Sequence, residues 1–113
     1  MSWNELRKGS TQVLILAVLA DQPAHGYAIA REVERRSNEA LRMGEGALYP
    51  ALRGLEREGF VVSRWEPQPT GASRRVYELT DDGRKHLKTQ LEGWREFTRV
   101  VDNVIGGLSI EAA

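Results

Sequence analysis

The alternation of apolar and polar positions predicts a series of helices over the first half of the chain. Apolar residues surround almost the whole helical wheel over residues 10–20, which is typical of a helix enclosed on most sides. A second helix follows Gly26, has Ile29 and Val33 on one face and charged residues on the other, and is expected to end near residues 37–38. This part of the chain is therefore predicted to be helical.

A third helix is predicted to begin around residues 44–47 and to end at Gly59, a residue type that often terminates helices. Pro50 interrupts this pattern, because a proline beyond the first turn removes a hydrogen bond and clashes with the carbonyl four residues back. We expect either a late start or a distorted first turn. The apolar stripe of this helix consists of Leu48, Leu52 and Leu55.

Two strands and one long helix are predicted for the second half of the chain. Residues 60–65 and 74–79 are rich in β-branched and aromatic residues, and the loop over residues 67–73 contains proline and glycine, so they predict a hairpin with a mobile tip. Thr80 is a suitable N-cap for a helix that extends to residues 106–107. Apolar residues recur along this helix at intervals of three and four, which is typical of a coiled-coil seam and predicts a dimer interface: Leu87, Leu91, Trp94, Phe97, Val101, Val104 and Leu108.

The predicted order of elements is that of a winged helix-turn-helix: three helices, a two-stranded wing, and one long C-terminal dimerisation helix. The fold class is α+β and mostly α. The length of 113 residues and the content of 41% apolar and 28% charged residues are those of one folded globular domain. We expect residues 1–79 to form the DNA-binding region and residues 80–113 the dimerisation helix of the same domain.

Composition excludes several classes of protein. The chain has no cysteine, and its two histidines lack the spacing of a metal site, so we expect neither disulfides nor a bound metal. No nucleophile elbow, phosphate loop or paired-carboxylate motif is present, and we predict no enzymatic activity, catalytic residue or cofactor. The longest apolar run, residues 13–20, is too short to cross a membrane, and the first residues do not resemble a signal peptide, which indicates a cytoplasmic protein.

The charged residues do not identify a nucleic-acid-binding protein by number alone, because 16 basic and 16 acidic residues give no net charge. Their placement is more informative. Arg74 and Arg75 follow the flexible hairpin loop directly, where guanidinium groups suit phosphate oxygens and narrow minor grooves. The alternative is a pair of solvated arginines. In the third helix Tyr49 and Arg53 are expected to face outward together, unless Arg53 pairs with Glu56 on an ordinary surface.

Four segments of the chain resemble the PadR family of transcriptional regulators. They are His-Gly-Tyr-Ala-Ile at residues 25–29, Gly-Ala-Leu-Tyr-Pro-Ala-Leu at 46–52, Leu-Glu-Arg-Glu-Gly at 55–59 and Ser-Arg-Arg-Val-Tyr at 73–77. The resemblance covers roughly residues 14–91. It implies a dimeric winged-helix protein, usually a repressor, whose C-terminal helix forms much of the dimer interface. It also implies that the following residues lie near DNA: Tyr27, Tyr49 and the wing residues Ser73, Arg74 and Arg75.

The single C-terminal helix resembles the short branch of this family, in which some members bind flat, hydrophobic or cationic drugs between paired tryptophans at the dimer centre. Trp94 stands at the corresponding place, beside Gly93, and glycine within a helix often marks a close approach or open space. A ligand site formed by Trp94, Leu91 and Val13 is one interpretation. The other is that Trp94 simply anchors the dimer core.

The resulting hypothesis is a homodimeric regulator that places two third helices in successive major grooves of a palindromic double-stranded DNA operator. Binding near a promoter would repress transcription, and a small hydrophobic or aromatic effector at the dimer centre would relieve it. Two alternatives stay open: a winged-helix module that binds another protein, and a drug-binding dimer without a role on DNA.

Overall fold

The computed structural model describes residues 3–106, and the side chains of residues 10–106. Within them the helices are α1 (Trp3–Leu19), α2 (Gly26–Arg36), α3 (Glu45–Arg57) and α4 (Asp81–Ile105), and the strands are β1 (Ala24–His25), β2 (Val61–Glu66) and β3 (Arg74–Leu79). The three strands form one antiparallel sheet in the order β1-β3-β2. The predicted class, a mostly helical α+β protein with a winged helix, is confirmed.

The first helix and the first strand differ from the sequence prediction. The first helix begins at Trp3 and not near residue 10. Its first turns were not predicted because they lack the apolar pattern that surrounds the rest of the helix. The strand β1 was not predicted, since two residues are too few to show a period. Backbone pairing with β3, in which Ala24 lies opposite Tyr77 and His25 opposite Val76, defines it instead.

The core lies between α1, the inner faces of α2 and α3, and one face of the sheet. The predicted stripe on α3 is confirmed, because Leu48, Leu52 and Leu55 are all at most 2% exposed. Burial of a large apolar side chain contributes about 1.5–3 kcal/mol, so this cluster is the main source of stability. Its other members are Ile15, Leu16, Val18, Leu19, Ile29, Val33, Val61, Tyr77, Leu79 and Leu87.

Helix α3 contains Pro50 in its second turn without starting late. Its first turn is also regular, because the amides of Ala47 and Leu48 both donate to the carbonyl of Gly44, at 3.1 and 2.9 Å. The expected distortion is therefore absent from that turn. Pro50 lies on the exposed side of the helix, and burial of the leucine stripe on the other side maintains the helix despite the missing hydrogen bond.

The predicted end of α3 and the predicted start of α4 are confirmed, and the two lie against each other. Gly59 adopts a left-handed conformation with φ of +82°, and the amide of Phe60 donates to the carbonyl of Leu55 at 2.9 Å. The hydroxyl oxygen of Thr80 accepts from the amide of Gly83 at 2.9 Å and donates to the carbonyl of Gly59 at 2.7 Å. One threonine thus caps α4 and ties it to the end of α3.

Helix α4 extends well beyond the core. The molecule measures 57 × 28 × 23 Å, and a helix of 25 residues is about 37 Å long, so α4 accounts for much of the length. Leu87 is buried and Leu91 is half-buried against the core, whereas Trp94 and Phe97 are both 59% exposed. The second half of α4 therefore presents apolar side chains that its own chain does not cover.

Candidate nucleic-acid interface

The outer face of α3 presents a row of side chains to solvent, opposite the leucine stripe. Tyr49 is 37% exposed and Arg53 is exposed, which confirms that the two face outward together. Arg53 forms no ion pair within the described part of the chain, and the carboxylate of Glu56 pairs with Arg75 instead. An arginine without a carboxylate partner on an exposed helix face is available for guanine edges or phosphate oxygens.

A groove of about 800 Å³ lies between α2 and the first part of α3, and it includes Tyr49 but not Arg53. Tyr27, which is 63% exposed, and Tyr49 both line it, and the guanidinium of Arg31 lies 5.6 Å from the centroid of the Tyr27 ring. Gly26 permits the close approach of the two helices, because a Cβ atom there would lie 2.9 Å from the hydroxyl of Tyr49. Tyr27 and Tyr49 thus line the same groove, and the nearness to DNA that the family resemblance implies for them stays a prediction.

The wing consists of β2, β3 and the loop over residues 67–73. Ser73 ends the exposed loop and Arg74 begins β3, and both side chains point into solvent. One guanidinium nitrogen of Arg74 lies 3.5 Å from Nε2 of His25 on the neighbouring strand. Burial lowers the pKa of His25 below its ordinary value, and the charge of Arg74 lowers it further. His25 is consequently neutral at pH 7, and the positive charge at this edge belongs to Arg74.

Arg75 lies on the other face of the sheet, because successive residues of a strand point in opposite directions. Its Nε donates to the hydroxyl of Ser63 at 2.8 Å, and that hydroxyl donates to Glu56 at 2.6 Å. A second nitrogen of Arg75 lies 3.3 Å from Glu56. The guanidinium also lies 5.7 Å from the ring centroid of Trp65 and 5.9 Å from that of Tyr77. Both arginines are exposed, but Arg75, with 44% of its side chain accessible, is held by a carboxylate and a hydroxyl of its own chain, whereas Arg74 has no carboxylate partner among the described residues.

Tyr77 connects the wing to α3. Its side chain is 5% exposed, and burial raises the pKa of its hydroxyl. After burial, the largest effects on this pKa come from Arg75, which lowers it, and from Glu56, which raises it. The sequence prediction missed Ser63 and Glu56 as partners of Arg75. The period of two along β2 and β3 is the signal that places Ser63 and Arg75 on the same face.

The predicted seam of α4 divides into two parts. Leu87 is 8% exposed and packs into the core of its own chain, so little of its surface is left for a partner. Farther along, Trp94 and Phe97 lie with their ring centroids 6.2 Å apart, Val101 is half-exposed, and Val104 is 82% exposed. Val100 and Ile105 are exposed beside them and widen the apolar face beyond the predicted seam. Leu108 lies outside the described residues.

Among the described residues, the groove that Leu91 lines does not include the other two candidate ligand-binding residues. Leu91 lines a groove of about 300 Å³ between α4 and the end of α1, but neither Val13 nor Trp94 is among the described residues that line it. Val13 packs at the edge of the core. Gly93 has open space around it, since a Cβ atom there would meet nothing within 4 Å. In one chain the Trp94 ring is largely exposed, so a ligand bound to it would be enclosed only by a second molecule.

The described part of the chain, residues 3–106, contains neither a metal-binding cluster nor a membrane-spanning helix. No group of three histidine, aspartate or glutamate side chains there is arranged to hold a metal ion. None of the helices in residues 3–106 is long and apolar enough to span a membrane.

Comparisons with known proteins agree with this geometry. The model of the transcriptional regulator PadR-like family matches residues 15–89. The transcriptional regulator Rv3488 of Mycobacterium tuberculosis is 33% identical over 93% of this chain and 92% of its own length. The negative transcriptional regulator PadR of Bacillus subtilis is 30% identical over 65% of this chain but only 40% of its own length. The structure of a transcriptional regulator from Clostridium thermocellum superimposes with a TM-score of 0.81 at 25% identity, over 88% of this chain and 96% of that one.

Proposed function

The chain belongs to the PadR-like family of transcriptional regulators, which are not enzymes, and we propose that it acts as a homodimeric repressor that binds a palindromic operator. The observation that carries this proposal is the exposed face of α3 beside the wing, where Arg53 has no carboxylate partner among the described residues and Arg74 points into solvent. A regulator of this kind acts where the genome lies, which is the cytoplasm in a prokaryote.

The proposed mode of DNA binding follows from the position of these side chains. Helix α3 enters the major groove, with Arg53 and Tyr49 directed toward the base edges and the neighbouring phosphates. Tyr27, at the start of α2, approaches the backbone across the groove that it shares with Tyr49. The wing extends to the adjacent backbone or minor groove, where Ser73 and Arg74 bind phosphate oxygens.

Dimerisation is proposed through the second half of α4. The exposed residues Trp94, Phe97 and Val104 and the half-buried Val101 lie on one side of the helix and form an apolar surface that is unusual on a monomer. A two-fold axis through this surface presents two α3 helices to two half-sites one helical turn apart. A dimer therefore accounts for the exposed face, and its two-fold symmetry matches a palindromic operator.

Repression is proposed because the Bacillus subtilis relative is a negative regulator and because a dimer bound across a promoter excludes other proteins from it. An effector site is proposed at the dimer centre, where a second copy covers the exposed Trp94 next to Leu91, with Val13 at its edge. A hydrophobic or aromatic ligand there releases the operator if it binds more tightly to a dimer conformation in which the spacing of the two α3 helices does not match that of the two half-sites.

The test is a fluorescence-anisotropy titration against duplex DNA from the region upstream of the protein's own gene, at two salt concentrations. The wild type is compared with Arg53→Ala and Arg74→Ala. The matched control is Arg99→Ala, an exposed arginine on α4 that pairs with Glu96. We expect salt-sensitive, sequence-selective binding that the first two variants weaken and the control retains.

Equal and weak binding of wild type and variants to this duplex and to random duplexes would contradict the DNA-binding proposal. A specific protein partner in that case would favour the interaction-module alternative. Quenching of tryptophan fluorescence by aromatic cations, without any operator, would favour the drug-binding dimer.

A further inference from the structure

We propose that Arg75 is a positioning residue that fixes the wing against α3, and that its charge does not bind DNA. This inference rests on the proposed function, because it concerns how the DNA-binding surface is held in shape. Arg74 and Arg75 are neighbours in sequence, but strand alternation places them on opposite faces of the sheet. They therefore cannot act as one basic pair.

On the side that faces α3, two nitrogens of the Arg75 guanidinium are already bound to side chains of the same protein. Its Nε binds Ser63 at 2.8 Å, a second nitrogen lies 3.3 Å from Glu56, and Ser63 donates to the same carboxylate at 2.6 Å. The three side chains form a closed ring that joins α3, β2 and β3. A flat guanidinium provides several donors in a fixed plane, so it holds two partners at once.

Two aromatic rings complete this arrangement. The guanidinium lies within 6 Å of the ring centroids of Trp65, near the tip of β2, and Tyr77, which is buried at the base of the sheet. Trp65 is 65% exposed, and its neighbour across the strands is Arg75. Arg75 thus covers the part of the wing that extends beyond the core, where few apolar contacts fix its angle to α3.

The charge of Arg75 is largely compensated by Glu56. A phosphate contact at this position would have to displace the carboxylate, and the released carboxylate would then repel the DNA. Arg53 and Arg74 have no such partner carboxylate among the described residues, so they are better placed to bind phosphate. The geometry therefore assigns different roles to three arginines of one surface.

The variants Arg75→Gln, Arg75→Lys and Glu56→Gln test this assignment. Arg64→Gln is the matched control, since Arg64 also lies on the wing in an ion pair, with Glu78 at 3.3 Å, but on the opposite face. We expect the first three variants to weaken operator binding by a similar factor, roughly tenfold. The lysine variant fails like the glutamine variant because it keeps the charge but loses the planar contacts. The double variant Glu56→Gln, Arg75→Gln is no weaker than either single one.

The salt dependence of binding distinguishes the two roles. A positioning residue leaves the slope of log K against log salt unchanged, whereas loss of a phosphate contact reduces it by about 1. The inference is overturned if Arg75→Gln reduces that slope, if Arg75→Lys binds like the wild type, or if Glu56→Gln strengthens binding by freeing a cation.

A measurement without DNA separates this inference from the proposed function. The NMR resonance of the Trp65 indole N–H, and hydrogen exchange of the β2 and β3 amides, are expected to change in Arg75→Gln and Glu56→Gln but not in Arg64→Gln. An unchanged wing in the first two variants overturns the positioning role. If the wild type binds no duplex but these two variants still show the spectral and exchange changes, the proposed function is contradicted. The role of Arg75 in fixing the wing is then still supported.

Discussion

A Cβ atom on Gly83 would lie 2.0 Å from the carbonyl oxygen of Phe60, so the first turn of α4 contacts the start of β2 with no space for a side chain. The same carbonyl accepts a hydrogen bond from the amide of Thr80 at 3.1 Å. Because backbone atoms occupy the position, neither partner can move aside easily. This contact fixes the direction in which α4 leaves the core, and hence the orientation of its apolar face.

Gly83→Ala is expected to destabilise the protein despite the higher helix propensity of alanine. Forcing a methyl group against the Phe60 carbonyl should cost about 1–3 kcal/mol, as overpacking of a core does. The measurement is the free energy of unfolding in urea at a fixed protein concentration, since dimerisation would make stability depend on it.

Gly93→Ala is the control for that variant. It lies in the same helix with open space around it within one chain, so in the absence of dimer contacts the change should stabilise the chain by about 0.5–1 kcal/mol. Equal losses in both variants would show that the Phe60 contact is not the cause.

The sequence predicts those parts of the fold that have a clear period or a local signal. The leucine stripe of α3, the glycine at residue 59 and the Thr80 cap were all predicted correctly, because each depends on a few neighbouring residues. The strand β1 was missed because Ala24 and His25 become a strand only by pairing with β3. Leu87 was assigned to the seam, since a heptad pattern does not reveal that the start of α4 packs into the core.

The candidate site was predictable only in part for a similar reason. Tyr49 and Arg53 follow from helix periodicity, but the partner of Glu56 does not: Arg75 is 19 residues away in sequence and reaches it only after the hairpin folds back on α3. Treating Arg74 and Arg75 as one pair overlooked the alternation of the strand. Contacts between distant elements are the part that a single sequence cannot provide.

Gly26→Ala is expected to weaken DNA binding more than it lowers stability. The added Cβ atom would lie 2.9 Å from the Tyr49 ring, a side chain that can rotate away at modest cost but would then leave its place beside α2. We expect a loss of operator affinity of roughly threefold to tenfold, within the range of couplings between contacting residues. A double-mutant cycle with Tyr49→Ala measures this by anisotropy titration. The glycine change should have little further effect once the ring is absent.

Glu32→Gln is expected to remove part of the acid sensitivity of the protein. Hydrogen bonds from Arg35 and then from Arg36 lower the pKa of Glu32 from 4.5 to about 2. The depressed pKa means that the stabilisation is present above pH 4.5 and is lost as the pH falls toward 2. The difference in Tm between wild type and variant should therefore be largest near neutral pH and disappear below about pH 2. A pH-independent difference would contradict this origin.

Glu58→Gln is a suitable control for the pH series, because Glu58 is exposed at the end of α3 and forms no ion pair with any described residue. Both substitutions remove one carboxylate, so the change in net charge is the same. Only the Glu32 variant is expected to show a Tm difference from the wild type that decreases to zero as the pH is lowered.

Val104→Asp is expected to dissociate the dimer without unfolding the chain. Val104 is 82% exposed on the apolar face of α4, far from the core that ends near Leu91, so a charge there has no effect within one chain but would be buried in a dimer. Asn103→Asp is the control, because it adds the same charge at the adjacent residue, which is turned about 100° from Val104 and away from the centre of the predicted seam. Sedimentation equilibrium should give a monomer for the first variant and a dimer for the second, both with wild-type helix content by circular dichroism.

A dimeric Val104→Asp protein would mean that this face of α4 is not the interface. A monomeric variant should also lose most of its operator affinity, since one α3 helix alone reads only half of a palindrome.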